Sequence, residues 1–260
     1  MILVLAGTSE GREAVKLLLR EGLPVMATVT TEYGAQLLKE EGLKKVVTGK
    51  QSEKSLCDLI KNNGIGLIID ATHPFAVEIS SIALKTAQEL EVAYVRLERE
   101  ETPLPESPLI VTSHTLEDAV EEALSIGGTL FSALGSKHLP YLVKKAKMTG
   151  TKIVARVLPT PAVIEDCFNL GLKPEEIIAV KGPFSKDLNK EFFREYGAEV
   201  VITKDSGKEG GLQAKLEAAL ELNIPCIVWK RPNLDYPHVI HSPEEIVSEL
   251  RIYNLRRLYT

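Results

Sequence analysis

The chain has 260 residues, 44% of them hydrophobic, and a formal net charge of −5 at pH 7. This length fits one large domain or two of ordinary size, with enough apolar residues for a full core. The negative charge argues against a nucleic-acid surface over the whole protein, although it is compatible with a local basic cleft. No apolar run approaches the ~20 residues of a membrane-spanning helix. We therefore expect neither a nucleic acid nor a membrane as a partner.

Cysteine and histidine usage indicates the compartment and offers no metal site. The three cysteines, Cys57, Cys167 and Cys226, are scattered without metal-type spacing, and the five histidines form no HExxH pattern. We therefore predict no metal site. The apolar run at residues 2–6 is too short for a secretory signal and leads directly into a turn. Together these features predict a cytoplasmic protein with free thiols.

The first twelve residues, MILVLAGTSEGR, predict a strand, a glycine turn and a helix. Residues 2–6 are typical of a buried strand, and Thr8 or Ser9 can cap the helix. A helix N-terminus with free N–H groups favours an anion. The spacing is G-x-x-x-G rather than the dinucleotide pattern G-x-G-x-x-G, so the alternative is a plain βα turn with a solvated Arg12. As a phosphate site, the turn would use Gly7, Thr8, Ser9, Gly11 and Arg12.

Strands and helices alternate along the rest of the chain. The first half contains predicted strands at 24–30, 44–48, 65–70 and 92–97, and helices at 33–41, 52–63 and from about 72 to 90. The second half contains predicted strands at 109–112, 152–157, 177–180, 199–203 and 226–229, and helices at 116–125, 163–169, 185–196, 211–222 and from about 243 to 254. This alternation predicts an α/β protein with mainly parallel sheets that helices cover on both faces.

Two features divide the chain into halves. Residues 98–108, EREETPLPESP, are charged and contain three prolines, as expected of a connector. Residues 128–146 then repeat the strand, glycine turn and helix of the opening. We predict lobes at residues 1–126 and 127–260 with a cleft between them. A single barrel of eight strands also alternates strands with helices and is the competing fold.

The residues that follow each predicted strand indicate what the protein binds. Ligands of parallel sheets lie beyond the carboxyl ends of the strands. Several of these ends carry cationic or hydroxyl side chains on an otherwise acidic protein, which predicts an anionic ligand. The alternative is that long basic side chains extend from the strand ends into solvent. The strand-end residues are Thr30 in the first half and Lys137, Arg156, Lys181, Lys204, Ser206 and Gly207 in the second.

The sharpest local motif is DATHPFA at residues 70–76. Asp70 ends a buried strand, Thr72 can cap the next helix, and Pro74 suits the first helical turn. His73 is then expected at the helix N-terminus, facing the same crevice as Gly7. The alternative is that His73 only caps the helix.

Five stretches of the sequence resemble the precorrin-6A reductase family of cobalamin biosynthesis. They are GTSEGR after the first strand, DATHPFA, ARVLPTP, KGPFS, and TKDSG followed by IPCIVWKRP. The resemblance covers essentially the whole chain in the same order. It implies two Rossmann-like lobes with the active site in the cleft between them. It also implies that a nicotinamide nucleotide reduces one double bond of the precorrin-6A macrocycle.

The resemblance gives each group of candidate residues a role. The nucleotide would bind Gly7, Thr8, Ser9, Gly11, Arg12, Thr30 and Thr72. The tetrapyrrole, with its many carboxylates, would bind Lys137, Arg156, Lys181, Ser206 and Gly207. The proton that follows hydride addition would come from His73, Lys204 or water.

Several alternatives stay open at this stage. One branch of the family reduces the metal-free ring and another the cobalt-containing ring, and nothing in the sequence separates them or sets the oligomeric state. Residues 28–31 end the second strand without a carboxylate, which favours NADPH over NADH. A non-catalytic dinucleotide sensor is a second function class, but basic residues in both halves disfavour it. A nucleotide-donor transferase is a third, and the glycine turn at residue 7 disfavours it.

Overall fold

The computed structural model describes residues 1–99, 101, 103–207 and 210–252. The chain divides into two compact units. The first unit combines Met1–Glu100 with Asn233–Thr260, and the second consists of Glu101–Pro232. Each unit contains one six-stranded sheet.

The sheet of the first unit is parallel at every pairing of neighbouring strands. Its strands are β1 (Ile2–Ala6), β2 (Val25–Val29), β3 (Val46–Thr48), β4 (Leu67–Ala71), β5 (Ala93–Leu97) and β12 (Val239–Ile240). They lie in the order β12-β5-β4-β1-β2-β3. Every residue of β1, β2 and β4 is buried, as expected of strands with helices on both faces.

Three helices of the first unit begin at side-chain caps. The unit contains α1 (Ser9–Arg20), α2 (Glu32–Glu40), α3 (Glu53–Asn63), α4 (Val77–Glu89) and α10 (Glu245–Ile252). The side chains of Thr8, Thr31 and Ser52 cap α1, α2 and α3 by accepting a backbone N–H from the first turn. These hydrogen bonds satisfy donors that a helix N-terminus leaves unpaired.

The sheet of the second unit is also parallel throughout. Its strands are β6 (Ile110–Ser113), β7 (Thr129–Ser132), β8 (Lys152–Val157), β9 (Ile177–Ala179), β10 (Val200–Lys204) and β11 (Cys226–Trp229). They lie in the order β6-β11-β10-β7-β8-β9. Its helices are α5 (Leu116–Ile126), α6 (Leu139–Thr149), α7 (Pro161–Asn169), α8 (Lys186–Glu195) and α9 (Leu212–Glu221), with short 3-10 turns at Ser136–His138 and Pro174–Glu176.

The α/β class and the parallel sheets predicted from the sequence are confirmed, whereas the barrel alternative is wrong because the strands form two separate sheets. The lobe boundaries also differ from the predicted 1–126 and 127–260. The second unit begins before residue 127, because β6 pairs with β11 and thus belongs to the second sheet. The short strand β12, which was not predicted, pairs with β5 and returns the end of the chain to the first unit.

The strand order determines where a ligand can bind in each unit. In the first sheet the chain runs from β1 through β2 to β3 and then reverses to β4 on the other side of β1. In the second sheet it runs from β7 through β8 to β9 and then reverses to β10 beside β7. Such reversals leave a crevice at the carboxyl ends of the two strands. These crevices lie beside the loops after β1 and β4 in the first unit, and beside those after β7 and β10 in the second.

Neither a membrane-spanning helix nor a metal-binding cluster is present in the described part of the chain. None of its helices is long and apolar enough to cross a membrane. None of its groups of three or more histidine, cysteine, aspartate or glutamate side chains is placed to hold a metal ion.

Candidate active site

The turn between β1 and α1 lies against the end of β4. The backbone N–H of Gly7 donates to the carbonyl of Ala71 at 3.3 Å. The Thr8 hydroxyl donates to the same carbonyl at 3.0 Å and accepts from the N–H of Gly11 at 3.1 Å. Thr8 thus fixes the helix start to the neighbouring strand, and the exposed Gly7 lies at the helix N-terminus, where an anion is favoured.

Charged side chains flank this turn. Ser9 donates from its hydroxyl to the Glu10 carboxylate at 3.1 Å. Arg99, which follows β5, forms an ion pair with the same carboxylate at 2.7 Å. Arg12 is partly exposed on the first turn of α1. The sequence analysis missed Arg99, and its place directly after a predicted strand was the signal that could have found it.

The two glycines of the turn serve different purposes. A Cβ on Gly11 would lie 3.1 Å from both Ala6 Cα and Ala71 Cβ, so this glycine lets α1 pack closely on β1 and β4. A Cβ on Gly7 would lie 3.4 Å from Thr72 Cα, which is an ordinary contact. Gly7 therefore is not required by packing within the unit.

This difference gives a paired prediction. Gly11→Val should destabilise the fold by about 1–3 kcal/mol because it overpacks the interior. Gly7→Val should leave the unfolding midpoint unchanged and weaken nicotinamide nucleotide binding, since its side chain would occupy the position that the sequence predicts for a phosphate. Urea unfolding and nucleotide titration measure the two effects. Unchanged nucleotide affinity in folded Gly7→Val would mean that the turn is only structural.

The DATHPFA motif forms a turn rather than the expected helix start. Helix α4 begins at Val77 with Ala76 as its N-cap, and no side chain caps it. The Thr72 hydroxyl lies 3.1 Å from that of Ser80 and accepts from Arg96, so it does not cap a helix. The predictions that Thr72 caps α4 and that His73 lies at its N-terminus are wrong. Hydrogen bonds to buried side chains determine the conformation of this turn instead.

A buried polar network holds the turn. Asp70 and Arg96, both fully buried, form an ion pair at 2.9 Å, and Arg96 donates to the Thr72 hydroxyl at 3.0 Å. Asp70 also accepts from the N–H of Thr72 at 3.0 Å and from the Tyr94 hydroxyl at 2.6 Å. The ring of Tyr236 lies in the returning segment, the part of the chain from Asn233 onward that belongs to the first unit. Its centroid is 5.1 Å from the central carbon of the Arg96 guanidinium. The network therefore joins β4, β5 and the returning segment beneath residues 72–76.

The electrostatics of this network keep it charged. Burial alone lowers the pKa of Arg96, but the charges of Asp70 and Glu98 outweigh it and raise the pKa above its ordinary value. Burial, followed by the charge of Asp70, raises the pKa of Tyr94. Arg96 is therefore a permanent cation and Tyr94 a permanent hydrogen-bond donor at any physiological pH.

His73 is held with one ring nitrogen toward the turn. The N–H of Phe75 donates to His73 Nδ1 at 3.2 Å. A ring nitrogen that accepts a hydrogen bond carries no proton, so this contact assigns the neutral tautomer with its proton on Nε2. The N–H of His73 also lies 3.5 Å from the position of a Cβ on Gly7. The structure thus brings Gly7, Thr8, Thr72 and His73 together, as predicted.

The end of β2 carries hydroxyl groups and no carboxylate before the next helix. Thr30 is exposed, Thr31 caps α2, and Glu32 is the first residue of that helix. The neighbouring strand β3 ends at Thr48, which pairs with Val29. The exposed Lys50 follows that strand by two residues. The end of β2 therefore lacks the carboxylate that NADH-binding proteins place there, and the nearest following cation, Lys50, comes after the neighbouring strand β3.

In the second unit, the loops after β7 and β10 bring cationic groups together. Lys137 and His138 lie in the 3-10 turn after β7, and Lys204 ends β10. Burial, followed by repulsion from Lys204 and Lys137, lowers the pKa of His138 to about 4. Burial, then Lys137, lowers the pKa of Lys204. His138, whose ring meets Trp229 edge-on at 4.9 Å, is therefore a neutral imidazole near Lys137 and Lys204. Sequence reasoning gave it no role.

Arg156 lies on β8, the strand that pairs with β7. Its guanidinium lies between the rings of Phe131 and Phe184, at 5.5 and 5.0 Å from their centroids. It donates to the Asn189 side chain at 2.8 Å. Burial lowers the pKa of Arg156 to about 10, so it stays charged at neutral pH. Lys181, the remaining predicted substrate contact, is exposed after the edge strand β9.

The loop after β10 leads to α9, which begins at Leu212, one residue after the predicted start. Both Ser206 and Gly207 are buried. Asp205, fully buried, pairs with Lys230 at 3.0 Å and accepts from Arg231 at its backbone carbonyl. Asp205 thereby fastens the loop to the segment after β11 and leaves Lys204 as its partly exposed cation.

The sequence pattern of the family described as Precorrin-6x reductase CbiJ/CobK matches residues 1–251. The chain belongs to the precorrin-6x reductase family. It is therefore a reductase of cobalamin biosynthesis, and the family implies a nicotinamide cofactor. Neither a non-catalytic sensor nor a transferase fits this membership.

Individual members of the precorrin-6x reductase family are similar over nearly the whole chain. The cobalt-precorrin-6A reductase of Priestia megaterium is 37% identical and covers 96% of this chain and 98% of its own. That of Methanothermobacter thermautotrophicus is 38% identical, over 90% of this chain and 77% of its own. The solved structure of CobK precorrin-6A reductase is 26% identical, with a TM-score of 0.77 over 97% of this chain and 96% of its own. The resemblance found in the sequence is thereby confirmed.

Proposed function

We propose that this reductase uses NADPH to reduce cobalt-precorrin-6A, with the nucleotide on the first unit and the tetrapyrrole on the second. The observation that carries the division is the cationic cluster of the second unit. Lys204 and Lys137 both lower the pKa of His138, and burial together with Lys137 lowers the pKa of Lys204. A polyanionic macrocycle would supply the missing negative charge.

The first unit fits a nucleotide diphosphate in three respects. Gly7 is exposed at the start of α1 and leaves room for close approach. Thr8 anchors the helix N-terminus to β4. Arg12 adds a positive charge, and Arg99 neutralises the Glu10 carboxylate beside the turn. These features support the contacts proposed for Gly7, Thr8, Ser9, Gly11 and Arg12.

The chemistry divides between the nucleotide and the protein. When bound, the nicotinamide supplies the hydride that reduces the carbon–carbon double bond. The protein orients both reactants and supplies the proton that the ring must then gain. We propose that this proton comes from the Lys204 ammonium or from His73, which would first have to gain a second ring proton because a neutral imidazole is too weak an acid. Arg156, Lys137 and Lys181 would hold peripheral carboxylates, and Ser206 and Gly207 shape the loop that carries Lys204.

The preference for NADPH follows from the edge at β2 and β3. Exposed Thr30 and Lys50 would face the ribose 2′-phosphate, and the absence of a carboxylate after β2 removes the usual partner of a free 2′-hydroxyl. Lys50→Glu should raise the KM for NADPH at least about tenfold, a change of about 1.4 kcal/mol, and leave the KM for NADH nearly unchanged. Steady-state kinetics with both nucleotides measures this. Equal effects on the two nucleotides would contradict the assignment.

The preference for the cobalt-containing ring rests on the relatives. The two relatives named for the cobalt substrate are 37% and 38% identical, whereas CobK precorrin-6A reductase is 26% identical. Anaerobic assays that follow NADPH oxidation with each ring test the proposal. We expect a higher kcat/KM with cobalt-precorrin-6A. A higher value with the metal-free ring would reverse this part of the proposal.

A further inference from the structure

A second lysine of the second unit is buried where no sequence motif indicated a site. Lys215 lies on α9 and is only 5% exposed. Its neighbours along the helix, Leu212 and Leu216, pack in the core cluster that also contains Phe131 and Val154. The side chain of Lys215 therefore enters the interior on the apolar side of its helix.

Arg156 belongs to the same face of the sheet. Val154 pairs in register with Phe131, and Arg156 follows Val154 by two residues, so its side chain points to the same side. Thr203 is placed likewise, two residues after Val201, which also pairs with Phe131. Within the described part of the chain, the buried Thr203 hydroxyl has no hydrogen-bond partner. This face thus contains a buried hydroxyl that no described residue satisfies.

The titratable groups that affect the pKa of Lys215 lie on three strands. They are Arg156 on β8, the Cys226 thiol on β11 and Lys204 on β10, and no carboxylate of a described residue is among them. Burial, followed by repulsion from Arg156, lowers the pKa of Lys215 to about 7. Burial raises the pKa of Cys226 to about 12, so this thiol is uncharged at neutral pH. A buried cation without a counter-ion is destabilising.

We propose that a carboxylate of the tetrapyrrole binds Arg156 and that this binding is coupled to protonation of Lys215 behind it. The inference rests on the proposed function, because it takes the substrate as the anion. Arg156 is partly exposed and can meet the carboxylate. Lys215 is a positioning residue, since its charge strengthens that contact through a low-dielectric interior. The proton passes from solvent to the Lys215 amine, and no other bond changes.

The direct test counts the protons taken up when the tetrapyrrole binds in the absence of nucleotide. Calorimetric titration at about pH 8, in two buffers of different ionisation enthalpy, measures this number. Because Lys215 is mainly neutral at this pH, a coupling of one pKa unit should give an uptake of about 0.4 proton per bound ring. Binding without proton uptake would overturn the inference and leave the proposed function intact. Absence of tetrapyrrole binding would overturn both.

Two variants assign the proton to Lys215. Lys215→Met should abolish the uptake and weaken tetrapyrrole affinity at pH 7 by about tenfold, the effect of one pKa unit of coupling. Lys215→Arg keeps a permanent charge and should bind without proton uptake at every pH. Lys144→Met, which changes an exposed lysine of α6, is the matched control and should retain the uptake. Retention of the uptake in folded Lys215→Met would assign the proton to another group and overturn the inference.

The free protein gives an independent readout of the same charge. The pKa of Lys215 lies below the ordinary value of 10.5, so the folded state binds fewer protons than the unfolded state between the two values. The penalty for burying the charge is therefore complete below about pH 7 and disappears as the pH approaches about 10.5. Lys215→Met should raise the urea midpoint most at about pH 6 and least at about pH 10. If Lys215→Met changes the urea midpoint by the same amount at every pH in this range, the result would contradict the buried charge on which the coupling depends.

Discussion

Replacing Arg96 with methionine is expected to lower the free energy of unfolding by about 3–5 kcal/mol, because it leaves a buried carboxylate unpaired. Arg96 and Asp70 are both fully buried, and their ion pair also positions Thr72. Since the turn at residues 72–76 lies against Gly7, the variant should also bind the nicotinamide nucleotide more weakly. Urea unfolding and nucleotide titration measure the two effects.

The control for this change is an arginine in contact with solvent. Arg20 is exposed in the last turn of α1, and Arg20→Met should change stability by no more than about 0.5 kcal/mol. Tyr94→Phe, which removes one hydrogen bond to Asp70, should cost about 1–3 kcal/mol. Equal stability of Arg96→Met and Arg20→Met would show that the buried pair does not hold this unit together.

Replacing Lys204 with methionine should reduce kcat/KM for the tetrapyrrole by about ten- to a hundredfold, the loss of a charge-assisted hydrogen bond worth about 1.5–3 kcal/mol. Nucleotide affinity should stay within experimental error, because Lys204 belongs to the second unit. Removing this charge should also raise the pKa of His138, since Lys204 is one of its two repelling neighbours. Single-turnover kinetics, nucleotide titration and the NMR titration of His138 measure these effects.

Lys144→Met is again the matched control and should leave all three measurements unchanged. A fall in nucleotide affinity in Lys204→Met would reverse the assignment of nucleotide and substrate to the two units. If neither affinity nor turnover changes, Lys204 is a solvated strand-end residue and the cationic cluster does not bind the substrate.

Much of the fold follows from local sequence signals. The apolar run at residues 2–6, followed by Gly7 and Thr8, predicts β1 and the capped start of α1, and Ser52 predicts the start of α3. These elements depend on neighbours within a few residues, so the sequence contains the necessary information. The same holds for the parallel pairing, which follows from the alternation of strands and helices.

The sequence is less informative where partners are far apart along the chain. The pairing of β6 with β11 and of β12 with β5 sets the unit boundaries, but each joins strands separated by more than a hundred residues. The conformation of the DATHPFA turn depends on Arg96, which is 26 residues from Asp70. Lys215 has the residue type of an exposed helix position, and only the packing of α9 shows that it is buried.

The most direct measurement follows hydrogen from the nucleotide to the macrocycle in one anaerobic turnover. NADPH labelled with deuterium at either face of the nicotinamide C4 is mixed with the protein and cobalt-precorrin-6A, and the product is analysed by mass spectrometry. We expect deuterium from one face only to appear in the reduced ring, and Gly7→Val to slow the transfer at limiting nucleotide. Oxidation of NADPH without deuterium in the ring, or no oxidation with either form of the substrate, would contradict a reductase that transfers hydride from this nucleotide to the macrocycle.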